Sequence, residues 1–133
     1  MKLQVLIIGF LILIMQLIAN ESIGQTEVLS NTKVSLAKAD PKNLTKYFNE
    51  YVEISFDGEK SSYSKTQAEF VMKDFFKKYP PVSFELIHQG ASKEGLKYAI
   101  GKYSYSKGSY RVYILIKQFR GNYLIDTLNF SEE

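Results

Sequence analysis

The amino-acid sequence predicts an α+β domain in which helices, placed first in the chain, pack on one face of a curved antiparallel sheet built from the strands that follow. Three observations predict it. Apolar residues recur with a helical period up to Tyr79, the period switches to two from Val82 onward, and Pro80-Pro81 separates the two regimes. Of the 133 residues, 45% are hydrophobic, 14% aromatic and 23% charged, a balance that suits one small folded domain and not a disordered chain.

Lys2 is followed by eighteen uncharged residues, Leu3 to Asn20, mostly Leu and Ile. A bilayer span needs about 20 apolar residues, and this run is interrupted by Gln4, Gly9 and Gln16. One basic residue, an apolar stretch and small residues after it are the parts of a secretory signal. Cleavage after Ala19 or after Gly24 fits the small-residue rule; the second is adopted here, giving a signal over 1–24 and one domain over 25–133. An uncleaved N-terminal anchor is the alternative. The chain has no Cys, so lipid attachment through a cysteine is not available. Export predicts a periplasmic or secreted protein without membrane attachment once the signal is removed. The remaining 109 residues carry 16 basic and 13 acidic side chains, and only Arg111 and Arg120 offer guanidinium forks. That balance does not argue for nucleic acid.

Val28 to Ala39 reads as a helix ending at Asp40-Pro41, where Asp40 is the N-cap and Pro41 the first residue of a short second helix. Leu44, Tyr47, Phe48 and Tyr51 continue at helical spacing, a strand follows over 52–56, and Asp57-Gly58 is a turn. Ser64 and Gln67 form a capping box ahead of Ala68, Val71, Met72, Phe75, Phe76 and Tyr79, an apolar stripe with Lys65, Glu69, Lys73, Asp74, Lys77 and Lys78 on the other side. Such a stripe is core. From Val82, alternate residues Phe84, Leu86 and His88 share a strand face, and 90–95 form a loop. Strands over 96–106 and 109–119 are joined by Lys107-Gly108, and a last strand runs over 123–130.

Pairing Ser106 with Ser109 collects Ala99, Gly101, Tyr103, Tyr105, Tyr110, Val112, Ile114 and Ile116 on one uncharged face, which is assigned to the core. Burial favours a longer final connection, with Leu128 opposite Ile114 and Phe130 opposite Val112, over a two-residue one that would put Thr127 and Asn129 there. Asp126 then falls on the core face beside Ile116. The other face carries an apolar stripe, Tyr98, Ile100, Tyr113 and Leu115, with basic edges, and is the candidate interface for a partner or a second copy of the chain.

The element order, with YSKTQAEFVMKDFF (63–76), SFELIHQG (83–90), YAIGKY (98–103) and GSYRVYILIK (108–117), resembles the small exported Bacteroidota proteins grouped as domain-of-unknown-function family 4783. That family is similar to the nuclear-transport-factor-2-like (NTF2-like, cystatin-like) superfamily, a cone of bent antiparallel sheet closed by helices. The resemblance spans nearly all of the mature chain and implies fold and compartment. It does not select a function, because the superfamily includes isomerases, dehydratases and non-catalytic binding modules.

His88 and Asp126 are the ionisable residues that this register puts on the concave face, where Phe84 and Tyr103 join them as candidate pocket lining. In enzymes of the superfamily, pocket carboxylates and histidines act as general acids and bases. Here the two lie on the first and last of four consecutive strands, roughly 14 Å apart at a 4.8 Å spacing. A lone His on an apolar face is more often structural than catalytic. With no Cys and one His there is no thiolate nucleophile and no thiolate-rich metal site. Gly108-Ser109 has no nucleophile-elbow context, the scattered glycines form no phosphate loop, and Asp57 and Glu59 fall short of a calcium loop. The ten tyrosines offer a stacking surface for sugar or peptide, though strand propensity accounts for most of them. No catalytic residue, metal or cofactor is assigned. The expected function is a non-catalytic module that binds a small molecule or peptide in the cone, or a protein on the outer sheet face. The alternatives are an isomerase- or dehydratase-like enzyme using Asp126 or His88, and a structural homodimer.

Overall fold

The structure, a computed structural model, describes residues 2–91 and 96–133, with residues 13–23 given by backbone alone. Its elements are α1 (Lys2–Lys38), α2 (Pro41–Leu44), a 3-10 turn (Thr45–Tyr47), β1 (Phe48–Phe56), β2 (Glu59–Ser64), α3 (Lys65–Lys78), β3 (Pro81–Ala91), β4 (Lys97–Tyr105), β5 (Gly108–Phe119) and β6 (Asn122–Glu132). The strands form one sheet in the order β2-β1-β6-β5-β4-β3. β1 runs parallel to β6, and the other neighbouring pairs are antiparallel. This is the α+β arrangement that the change of period predicts.

Local chemistry explains most boundaries. The Asp40 carboxylate accepts the Asn43 amide at 3.1 Å, and Pro41 opens α2 as expected. That helix lasts one turn: Phe48 and Tyr51, expected to continue it, lie in β1, where Phe48 is 2% exposed and pairs with Ile125. Sheet pairing overrides helical spacing there. At α3 the capping box forms as written, with Ser64 Oγ accepting from the Gln67 amide and the Gln67 side chain accepting from the Ser64 amide. Ala68, Met72, Phe75 and Phe76 of its stripe are buried. Asp57 (φ 51°) and Gly58 (φ 86°) both lie in the left-handed region, as a tight two-residue hairpin requires.

β2 has no counterpart in the sequence reading, because its residues, EKSSYS, are polar and leave no alternating apolar face. The predicted loop over 90–95 starts later than expected: Gly90 and Ala91 finish β3, and 92–95 lie outside the described residues.

The core lies between the helices and the even-numbered residues of β5, where Tyr110, Val112, Ile114 and Ile116 are buried opposite odd-numbered residues of β4. The β4–β5 pairing differs from the expected one by two residues: Tyr103 faces Tyr110 and Tyr105 faces Gly108, so Ser106-Lys107 forms the turn and Lys107-Gly108 does not. A two-residue slip leaves every side chain on its predicted face, whereas a one-residue slip would have exchanged the faces.

Among the described residues of α1, Val28, Leu29, Thr32, Ser35 and Leu36 are buried on the core. Its opening residues are exposed and apolar, with Leu3 71% and Val5 70% exposed. Among the described residues no helix is long and apolar enough to cross a membrane.

Candidate functional site

Two β-bulges decide where the candidate site residues go. A bulge inserts one unpaired residue and so exchanges the faces of everything beyond it. In β3, Leu86 faces Gly101 but His88 faces Ile100, which leaves Ile87 as the extra residue. Phe84 and Leu86 therefore point at the core. His88, expected beside them, is exposed on the outer face, with Nε2 3.2 Å from the Tyr98 hydroxyl. In β6, Leu115 faces Thr127 but Ile116 faces Ile125, which leaves Asp126 as the extra residue. Its Oδ2 accepts a hydrogen bond from Thr127 Oγ1 at 3.3 Å and is ion-paired with Lys117 at 3.1 Å, on the side away from the core.

This second bulge reconciles two connections that the sequence sets against each other. The β5–β6 turn is the short one, Arg120-Gly121 between Phe119 and Asn122, yet Leu128 still faces Ile114 and Phe130 still faces Val112. The bulge supplies the residue of offset that a longer loop would otherwise have provided. Both expected concave ionisable groups are thereby corrected to the outer face.

The other two candidates fill the cone. Phe84 is 4% exposed and lies over Gly101, where an added Cβ would meet its ring at 2.3 Å. Tyr103 has no exposed surface, packs on Phe75 at 5.3 Å between centroids, and donates its hydroxyl hydrogen bond to the Tyr79 carbonyl. Burial pushes its phenol pKa well above the ordinary value. These two side chains are core, not the walls of an open pocket.

The outer stripe is present on β4 and β5. Tyr98, Ile100, Tyr113 and Leu115 are all half-buried, and Tyr98 stacks on Tyr113 with centroids 6.0 Å apart. Gly90 has no side chain to obstruct the Tyr98 hydroxyl, which an added Cβ would meet at 2.6 Å. Around the stripe the register sets Glu85 opposite Lys102 and Lys102 opposite Arg111, while Lys117 and Asp126 pair at the far end. This rim carries both signs of charge.

A separate cleft of about 580 Å³ opens between the β1–β2 turn and the C-terminal half of α3. Phe56, Tyr63, Phe75, Tyr79 and Tyr110 form its walls, and Asp57, Glu59, Asp74 and Lys78 stand among them. The turn is fixed from β6: the Asp57 amide donates to the Phe130 carbonyl at 2.8 Å, and Asp57 Oδ1 accepts from the Glu132 amide at 2.7 Å. Tyr105 donates to Glu132 Oε1 at 3.2 Å. The phenol pKa of Tyr110 is pushed up, first by burial and then by its hydrogen bond with Tyr79 and by Glu132. That of Tyr105 rises by burial, by its bond to Glu132 and by negative neighbours including Asp57.

Asp57-Gly58 is a turn as expected, but as a site Asp57 and Glu59 suggest only calcium, so the cleft is not foreseen from the sequence. Asp-Gly is itself a strong hairpin signal, and reading it as one would have placed a strand at Glu59–Ser64 and a wall beside α3. Among the described residues no group of His, Asp and Glu could hold a metal ion.

Helices on one side of a six-stranded, mostly antiparallel curved sheet define the class of NTF2-like and cystatin-like folds. The chain is similar to an NTF2-like protein of unknown function from Shewanella baltica, at 14% identity and a TM-score of 0.65 over 86% of this chain and 95% of that one. Residues 29–131 match the family described as a domain of unknown function, DUF4783, and the chain belongs to that family. Crystal structures of DUF4783 proteins agree in fold. One from Bacteroides ovatus has 24% identity and a TM-score of 0.73 over 77% of this chain and 93% of that one. Another, from Bacteroides uniformis, has 21% identity and a TM-score of 0.72 over 78% and 95%. No curated protein matches the chain.

Proposed function

We propose that this DUF4783 protein is an exported, non-catalytic binding module whose outer sheet face takes a protein partner, and that this partner is a second copy of the chain. The observation that carries the reading is the contrast between a cone packed with Phe84 and Tyr103 and an outer face with a half-buried Tyr98–Tyr113 stack. An apolar centre with a polar rim is the anatomy of a protein interface. The rim also suits self-association: Lys102, Arg111 and Lys117 lie on the same face as Glu85 and Asp126, and in an isologous pair each sign can meet the other. The non-catalytic part is supported by His88 and Asp126, which stand on opposite sides of β4 and β5, one exposed and the other engaged by Lys117. Neither a metal nor a cofactor is needed.

Export is supported by the uncharged run over 3–20. Sequencing the N-terminus of protein recovered from the cell envelope is expected to give Gln25; an intact Met1 would overturn export by a cleaved signal. Sedimentation velocity of the same protein is expected to show a dimer that Tyr113→Lys converts to a monomer. A wild-type monomer at the highest attainable concentration would overturn the second-copy reading.

A further inference from the structure

The cleft between the β1–β2 turn and α3 has a chemistry that the outer face does not share. Its walls are aromatic, and among the described residues its charges do not balance: Asp57, Glu59 and Asp74 face one cation, Lys78, whose Nζ is already 3.2 Å from Asp74. This surplus of negative charge sits on a chain whose formal net charge is +3. We propose that the cleft binds an organic cation, an ammonium or guanidinium group carried on an apolar stem.

Several features of the cleft converge on that ligand. Ring faces carry negative quadrupole density and attract cations within about 6 Å, more strongly where water is excluded. Phe75 supplies the floor, packing on Phe56 at 5.2 Å and on Tyr79 at 5.2 Å. The last turn of α3 ends at Lys78, and the C-terminal end of a helix carries partial negative charge that favours a cation. Glu132 lies just beyond the wall, bonded to Tyr105. Burial is the first cause that raises the phenol pKa values of Tyr105 and Tyr110; Glu132 adds to both, and Asp57 adds to that of Tyr105. A volume of about 580 Å³ admits a lysine- or choline-sized group with its stem. A neutral sugar could stack on the same rings but would leave the surplus carboxylate charge unanswered.

The cation could belong to a free small molecule or to a side chain of a peptide, and the test separates these sources. Isothermal titration calorimetry on the full chain uses choline, its uncharged carbon isostere 3,3-dimethylbutan-1-ol, and N-acetyl-lysinamide. At least one cation is expected to saturate, with the isostere roughly tenfold weaker or worse. Tighter binding of choline assigns a free quaternary ammonium; tighter binding of N-acetyl-lysinamide assigns a peptide side chain. Glu59→Gln, at an exposed position, is expected to weaken the cation about three- to tenfold and to leave the isostere unchanged. Asp57 is left intact because it holds the Glu132 amide. Equal binding of cation and isostere, an unchanged affinity in a Glu59→Gln/Asp74→Asn double variant, or no saturation by either cation would overturn the proposal. The outcome is independent of the oligomeric state assigned to the outer face.

Discussion

The two faces of β4 and β5 are drawn from alternate residues of the same strands, and they differ in what they can tolerate. Toward α1 and α3 stand Ala99, Gly101, Tyr103, Val112, Ile114 and Ile116, each with no exposed surface or nearly none. Away from the helices stand Tyr98, Ile100, Tyr113 and Leu115, all half-buried, beside Lys102 and Arg111, which are exposed. The first face is closed by its own packing and the second is left to be closed by something else. Bulges at Ile87 and Asp126 keep the division clean by turning His88 and Asp126 outward. Burying either ionisable group unpaired would cost several kcal/mol.

The strongest way to break this comparison is to remove Phe75, which packs on Phe130 at 4.7 Å and on Tyr110 at 5.4 Å. Phe75→Ala is expected to cost about 3–5 kcal/mol, because the surrounding rings cannot collapse into the space. Tyr113→Ala, on the other face, is expected to cost about 1 kcal/mol. Urea denaturation midpoints measure both, and equal losses would show that the outer face is as much a part of the core as the inner one.

A smaller and sharper contrast uses two glycines. At Gly101 an added Cβ meets Phe84 at 2.3 Å and the Glu85 carbonyl oxygen at 3.0 Å, and the buried ring has no room to move. At Gly90 it meets the end of the half-buried Tyr98 side chain, which can swing away. Gly101→Ala is expected to destabilise by about 1–3 kcal/mol and Gly90→Ala by no more than about 0.5 kcal/mol. The reverse order, measured by the same denaturation, would mean that Tyr98 is the more tightly held of the two rings.

These contrasts also show how far the sequence carries. The inner face of β4 and β5 is legible because parity survives a two-residue error: mistaking Ser106-Lys107 for Lys107-Gly108 moves partners without moving faces. The positions of His88 and Asp126 are not legible, because one inserted residue reverses parity and nothing in LIHQG or LIDTL marks the insertion locally. Asp126 carries a trace of it even so. A carboxylate that strict alternation would bury beside Ile116 is itself a reason to suspect that alternation fails. The end cleft is illegible for another reason: β2 is a polar edge strand without apolar alternation, and only its Asp-Gly turn announces it.

Alkaline pH tests the inner face through Tyr103. The folded state raises the phenol pKa of Tyr103 above its ordinary value near 10 by burying it. The protonated form is therefore the one that the fold favours. Its contribution is intact below about pH 10 and is lost as pH rises from there toward the folded value. Stability is expected to fall with pH above about 10, and Tyr103→Phe, at a fixed cost of about 1 kcal/mol for its hydrogen bond to the Tyr79 carbonyl, is expected to make that fall less steep. An unchanged slope in denaturation midpoints between pH 9 and 11 would show that the hydroxyl reaches water.

A small effect is expected at Asp126, and its smallness is the point. As an outer-face residue, 25% exposed and paired with Lys117, which is 44% exposed, Asp126 is expected to give up only about 0.2–1 kcal/mol on replacement by Asn. Much of even that difference should vanish in 1 M salt, where the screening length falls to about 3 Å. A carboxylate on the concave face would behave differently. Buried among Ile116 and Leu128 without a partner, it would destabilise the fold, so Asp126→Asn would raise stability, and salt would hardly alter the gain. The sign of the change and its salt dependence together therefore report which face the bulge has given to Asp126.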